Sequence, residues 1–261
     1  MGFLQKNSKG TKRVTFLTIY SVDLHNHGLS RGKGGLFYSQ PTPEGMVMEA
    51  HRKGISVFAL SEKDEPLKTY HRIKKLGKEL GMCILPAQEV RTVEGDVLGI
   101  GITEKVESSG KISCFEAAER IKELGGKALA THPGYPGTLS RKNVLELYKS
   151  GKIVGGDFVT GAVDYFLKSH HDRNLSWAEK NSIPCLGFSD AKTIKQVGTC
   201  TTLYDFDELD EEHVLKKIEY PSGIVRKPSL RSFVEKALQT YSLNRKGLKR
   251  LLLSDHDLGR D

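Results

Sequence analysis

Residues 21–30 read Ser21-Val22-Asp23-Leu24-His25-Asn26-His27-Gly28-Leu29-Ser30. They close an apolar segment, Val14 to Val22, whose β-branched and aromatic residues predict a strand. On extended backbone, side chains two apart point to the same side. His25 and His27 therefore face one way, and Asp23 joins them. Two imidazoles and a carboxylate on one side of a strand end suit a metal ion. Imidazole favours Zn, Fe, Ni or Cu, and carboxylate adds Mg or Mn.

Working outward, the same arrangement recurs. The apolar run Ile55 to Leu60 ends in Ser61-Glu62-Lys63-Asp64, and Cys83 to Leu85 continues into Pro86-Ala87-Gln88-Glu89. Lys127 to Ala130 ends in Thr131-His132-Pro133-Gly134, and Ile183 to Phe188 in Ser189-Asp190-Ala191-Lys192. Helices are expected between these runs. One starts at Thr42-Pro43, with Thr as cap and Pro at the first helical position. Another spans Pro66 to Leu80 and stops at Gly81. The capping box Ser113-Cys114-Phe115-Glu116 opens a third. Further helices are expected at Arg141 to Lys149, Asp172 to Ser182 and Asp207 to Tyr220. Alternating strands and helices predict an α/β protein with a parallel sheet closed into a barrel. In such barrels the C-terminal strand ends share one rim, which carries the chemistry. His25, His27, Glu62, Glu89, His132 and Asp190 are thus expected to converge. Asp96 lies in a predicted hairpin turn, Glu94-Gly95-Asp96. His51, His170 and His171 are expected at the surface or the rim.

The net charge of +8 favours anionic partners: phosphorylated small molecules, nucleic acid or an anionic surface. There is no run of about 18 apolar residues for a membrane span and no apolar leader, so a cytoplasmic protein is expected. Cys83, Cys114, Cys185 and Cys200 are scattered without a C-x-x-C pair and are expected as buried free thiols. Strand–helix alternation stops at Pro221. The expected division is a barrel over residues 1–225 and a helix with a basic tail over residues 226–261.

Taken together and in this order, Asp23-Leu24-His25-Asn26-His27, Ser61-Glu62-Lys63-Asp64, Pro86-Ala87-Gln88-Glu89, Thr131-His132-Pro133-Gly134 and Gly187-Phe188-Ser189-Asp190-Ala191-Lys192 resemble the PHP (polymerase and histidinol phosphatase) family of metal-dependent phosphoesterases. The resemblance covers about residues 15–220 and is nearest to the short, single-domain members. It implies a distorted (β/α)7 TIM-like barrel of parallel strands with up to three divalent ions at the strand ends. It assigns His25, His27, Glu89 and Asp190 to one ion. Glu89 bridges to a second, which His132 binds, with Asp96 standing about where the family often has a histidine.

The departures are Lys63 and Lys192, where family members usually have histidines that bind the third ion. An ammonium group has no lone pair to give a metal. The resemblance therefore implies two divalent ions here, of Mn, Fe or Zn. Lys63 and Lys192 either pair with Glu62 and fill the vacated space, or bind the substrate phosphate and stabilise the departing oxygen. Asp23 is expected to orient a ligand histidine. Arg31 and Lys33, in the Gly-rich segment after His27, are expected to grip the substrate. The implied function is hydrolysis of a phosphomonoester or nucleotide. The alternative is a catalytically degenerate PHP protein acting as a binding or nucleic-acid-associated module.

Overall fold

The computed structural model describes residues 2–6, 12–16, 18–28, 41–108, 110–161 and 163–227. Arg31, Lys33 and the expected C-terminal tail beyond residue 227 lie outside the described residues.

Strands β1 (Gly2–Lys6) and β2 (Lys12–Phe16) form a separate antiparallel pair. The predicted strand from Val14 to Val22 is therefore two strands, the second being β3 (Ile19–Asp23). After it come α1 (Pro43–Arg52), β4 (Val57–Lys63), α2 (Tyr70–Glu79), β5 (Cys83–Arg91) and β6 (Asp96–Ile100). Then follow α3 (Cys114–Glu123), β7 (Lys127–Thr131), α4 (Arg141–Lys149), β8 (Gly156–Thr160), α5 (Asp164–Lys180) and β9 (Cys185–Phe188). The described part ends with β10 (Cys200–Asp205), α6 (Glu211–Lys217) and β11 (Gly223–Arg226).

The helix starts follow from their caps. Thr42 Oγ1 accepts from the Gly45 N–H at 3.0 Å, Ser113 from Glu116 and Ser140 from Asn143. Helix α5 begins at Asp164, earlier than expected, and breaks its regular geometry at Leu167. Helix α2 lies close to the sheet at Gly77, where a Cβ would come within 2.2 Å of Ile84 Cγ1.

Nine strands form one sheet in the order β11-β10-β3-β4-β5-β6-β7-β8-β9. The expectation of parallel strands needs correcting: the sheet is mixed. β3, β4 and β5 run parallel, as do β7, β8 and β9. β6 is antiparallel to both β5 and β7, and β10 to both β3 and β11. For β6 the cause is connection length. Only the short turn from Thr92 to Gly95 joins β5 to β6, closed by Thr92 N–H to Gly95 O at 3.0 Å. A turn this short can return a strand only antiparallel. The sheet curls until its far ends meet. Thr202 Oγ1 bonds both Gly187 N and Gly187 O at 3.0 Å, and Asn26 bridges to Ala191. The architecture is thus a nearly closed, TIM-like α/β barrel. β11 carries the sheet through Arg226, where sequence alternation had ended.

Side chains alternate along β4 as a two-faced strand requires. Val57 and Ala59 join Val22, Leu85, Leu98, Phe188 and Tyr204 in one buried cluster. Phe58 and Leu60 join Met46, Val47 and Ile73 of α1 and α2 in another. A third cluster packs α3, α4 and α5 on the far half of the sheet. Burying each large side chain contributes about 1.5–3 kcal/mol. The strand ends that carry polar groups are thereby held on a rigid wall. Cys83, Cys114 and Cys200 are buried free thiols, while Cys185 is partly exposed.

Candidate metal centre

β3 ends at Asp23, and the chain stays extended through His27. His25 and His27 fall on one side, as their spacing predicts, with ring centroids 5.3 Å apart. Asn26 points elsewhere and laces three segments. Its Nδ2 donates to Asp23 O (3.3 Å) and Ala59 O (3.4 Å), and its Oδ1 accepts from Ala191 N (3.3 Å).

Glu89, buried near the end of β5, occupies the middle. Its Oε1 lies 3.8 Å from His25 Nε2 and 3.6 Å from His132 Nε2, and its Oε2 lies 3.5 Å from His27 Nε2. Asp190 Oδ1 lies 3.2 Å from His27 Nε2 and 3.6 Å from His25 Nε2. Two three-residue groups result, His25–His27–Asp190 and His25–Glu89–His132. His132 and Asp190 have φ of 28° and 47°, in the left-handed region. Non-glycine residues enter it at a cost that clusters at functional sites.

These spacings suit metal ligands better than hydrogen-bonded pairs. His25 Nε2, His27 Nε2 and both Glu89 carboxylate oxygens are buried without a hydrogen-bond partner. Leaving so many polar atoms unsatisfied is expensive. Most of the separations are too long for hydrogen bonds. They match ligands set around one ion, since donors about 2.0–2.2 Å from a metal lie roughly 3–3.5 Å from each other. The donor set fits a divalent ion that accepts nitrogen and oxygen.

A family model described as PHP-associated matches residues 168–220. The protein MJ1587 of Methanocaldococcus jannaschii is 33% identical over 120 residues, which are 44% of this chain and 68% of that protein. The fold resembles a two-domain protein of Bacteroides vulgatus described as containing a predicted PHP-like metal-dependent phosphoesterase. The TM-score is 0.62 at 17% identity, over 84% of this chain and 70% of that one. It also resembles the lesion-specific endonuclease EndoQ of Pyrococcus furiosus, with a TM-score of 0.50 at 20% identity, over 77% of this chain and 56% of that one. The fold is thus that of PHP-like proteins.

In this cluster, Asp157 on β8 is the residue that sequence reasoning missed. Its Oδ2 lies 2.9 Å from His25 Nδ1, and its Oδ1 accepts from Phe188 N at 3.1 Å. It holds His25 with Nε2 turned toward Glu89 and Asp190. Its only sequence signal was an acid inside the otherwise apolar segment Asp157-Phe158-Val159.

Asp23 does not orient a histidine. It accepts from Ser189 N (3.0 Å), Ser189 Oγ (2.6 Å) and Gly198 N (3.1 Å). It pins the strand end next to Asp190. Burial pushes its carboxyl up to about 6, against the pull of those hydrogen bonds. The cause is that both carboxylate oxygens are taken by Ser189 and Gly198, in the segment that follows β9.

The lysines stand among the acids. Lys63 Nζ lies 2.7 Å from Asp96 Oδ2 and 3.5 Å from Glu89 Oε2, and Lys192 Nζ lies 2.5 Å from Asp190 Oδ1. Asp96 is in neither ligand group. Glu62 accepts from Gly28 N at 2.6 Å and fastens Gly28 to β4.

Electrostatics separate the two strand-end histidines. For His25, burial pulls the pKa down, but Asp190, Asp157 and Glu89 outweigh it and raise it to about 10 without a metal. For His27, burial and the nearby Lys192 lower it to about 4. Burial opposes ionisation of Glu89, yet His132, His25 and Lys63 hold it well below the usual range. His170 and His171 are buried, contrary to the expectation of surface or rim. His171 Nδ1 lies 2.6 Å from Asp164 Oδ1, and the His170 ring packs on Tyr135 at 4.3 Å. His51 is exposed.

Proposed function

We propose that this chain is a PHP-family metal-dependent phosphoric ester hydrolase acting on a phosphomonoester or a nucleotide. The observation that carries the reading is the set of buried, unpartnered donors on His25, His27 and Glu89 beside Asp190. His25, His27, Glu89 and Asp190 would hold one divalent ion, of Mn, Fe or Zn. The family resemblance would give a second ion to Glu89 and His132, with Asp96 as the further donor. When bound, such an ion polarises a phosphoryl oxygen and lowers the pKa of a water.

The chain's own residues do the rest. Asp157 fixes the tautomer and orientation of His25. Asp23 and Asn26 tie the loop bearing Asp190 and Ala191 to the end of β3. Lys63 and Lys192 set two ammonium groups beside the acids, where they bind phosphate oxygens or stabilise charge on the departing oxygen. Arg31 and Lys33 are assigned to gripping the substrate. The net charge of +8 draws anionic esters toward the protein. Among the described residues no helix is long and apolar enough to cross a membrane.

Charge alone also fits a nucleic-acid substrate, and one structural neighbour is described as a lesion-specific endonuclease. The test is a screen of phosphomonoesters, nucleotides and DNA or RNA oligomers with Mn-, Fe- or Zn-loaded protein. A His25→Ala/Asp190→Ala variant serves as control. Turnover that vanishes in the control supports the reading. Metal binding without turnover on any ester would replace it with a binding module.

A further inference from the structure

His25 Nε2 belongs to both ligand groups, yet it has one lone pair, and Nδ1 is committed to Asp157. It can serve one ion. If His25 joins His27 and Asp190, the other group keeps only Glu89 and His132. The further acid within reach of Glu89 is Asp96, two strands from Lys63. Lys63 pairs with Glu89 across β4 and β5, and Asp96 lies diagonally from Glu89 across β5 and β6. These residues form a row on one face of the sheet, with the Lys63 ammonium between the two carboxylates.

We propose that the Lys63 ammonium takes the place of a second divalent ion between Glu89 and Asp96, so that the chain retains one ion and a fixed internal cation. Three observations converge on this. The ammonium neutralises the carboxylates a second ion would need. It stands close enough to Glu89 to repel a cation there. It occupies Asp96, the donor that would complete the second group. The consequence is a centre whose positive charge is partly built in and does not leave with chelation.

The inference rests on the metal-dependent reading above, and one experiment separates the two. The full chain is loaded with Mn(II), freed of excess by gel filtration, and assayed for manganese per chain by mass spectrometry. Mn(II) electron paramagnetic resonance reports whether ions are coupled. Wild type is expected to hold about one uncoupled ion. Lys63→Gln and Lys63→Met, two neutral replacements at a partly exposed position, are expected to hold about two, with a coupled signal. Lys63→Arg, which keeps the charge, is expected to stay at one. Two coupled ions in wild type, or one ion in both neutral variants, would overturn the inference while leaving the metal-dependent reading intact. No manganese in any variant would overturn both.

Discussion

Asp157 Oδ2 lies 2.9 Å from His25 Nδ1, and both side chains are fully buried. Carboxylate partners of this kind usually govern ligand geometry, and their loss costs about 10–100-fold in metal affinity. Asp157→Asn is expected to weaken Mn(II) binding within that range while the protein stays folded. His25→Ala should lose binding far more severely. Equal affinity for wild type and Asp157→Asn in a metal titration would show that the pair is only structural.

Metal uptake should release protons, and by an unequal amount from the two strand-end histidines. In the metal-free protein His25 titrates at about 10 and is protonated at neutral pH, whereas His27 at about 4 is already neutral. A metal needs the Nε2 lone pair, so binding near pH 7 must expel about one proton, from His25. Affinity should rise with pH up to that range. The sign for the metal-free fold is opposite. A histidine with raised pKa contributes stability that is complete below its unfolded value, near 6.5, and lost as pH rises through about 10. Calorimetry in buffers of different ionisation enthalpy reads the protons directly; zero release would contradict the assignment.

Removing metal should lower thermal stability, since a ligand that binds only the folded state stabilises it. The gain is about 2.7 kcal/mol at a hundred times Kd. Chelation is expected to lower the Tm of wild type and leave Asp190→Asn unmoved. Asn tolerates the left-handed backbone at φ 47° while withdrawing the charged donor. A chelator-sensitive Tm in Asp190→Asn would place the ion elsewhere.

Asp23 is expected to act on stability through the loop it anchors. Asp23→Ala would leave the buried N–H groups of Ser189 and Gly198 without their acceptor. Each such loss costs about 1–3 kcal/mol. Urea unfolding should show a total loss of about 2–6 kcal/mol, with Ser189→Ala smaller. A loss below 1 kcal/mol would mean that the loop is held by other contacts.

Gly77 offers a test of packing away from the centre. Alanine gains about 1 kcal/mol in helix propensity. Its Cβ, however, would collide with Ile84 Cγ1, and overpacking costs about 1–3 kcal/mol. Gly77→Ala is expected to destabilise, and Ile84→Val, which removes the terminal methyl but not Cγ1, should recover only part of the loss. A stabilised single variant would show that α2 moves freely on the sheet.

Much of this protein was legible in the chain because the signals are local. Strand alternation placed His25 and His27 on one side, and apolar runs ending in Glu89, His132 and Asp190 marked the rim. Caps at Thr42 and Ser113 marked helix starts. The hairpin turn before β6 was also visible, although its effect on strand direction was not carried into the expected parallel sheet. What only the tertiary structure decided were partnerships across strands. His25 meets Asp157, 132 residues away, Asp23 meets Ser189 rather than a histidine, and Lys63 meets Asp96. Periodicity states which face a side chain takes, whereas strand order, register and the closing of the barrel select its neighbour on that face.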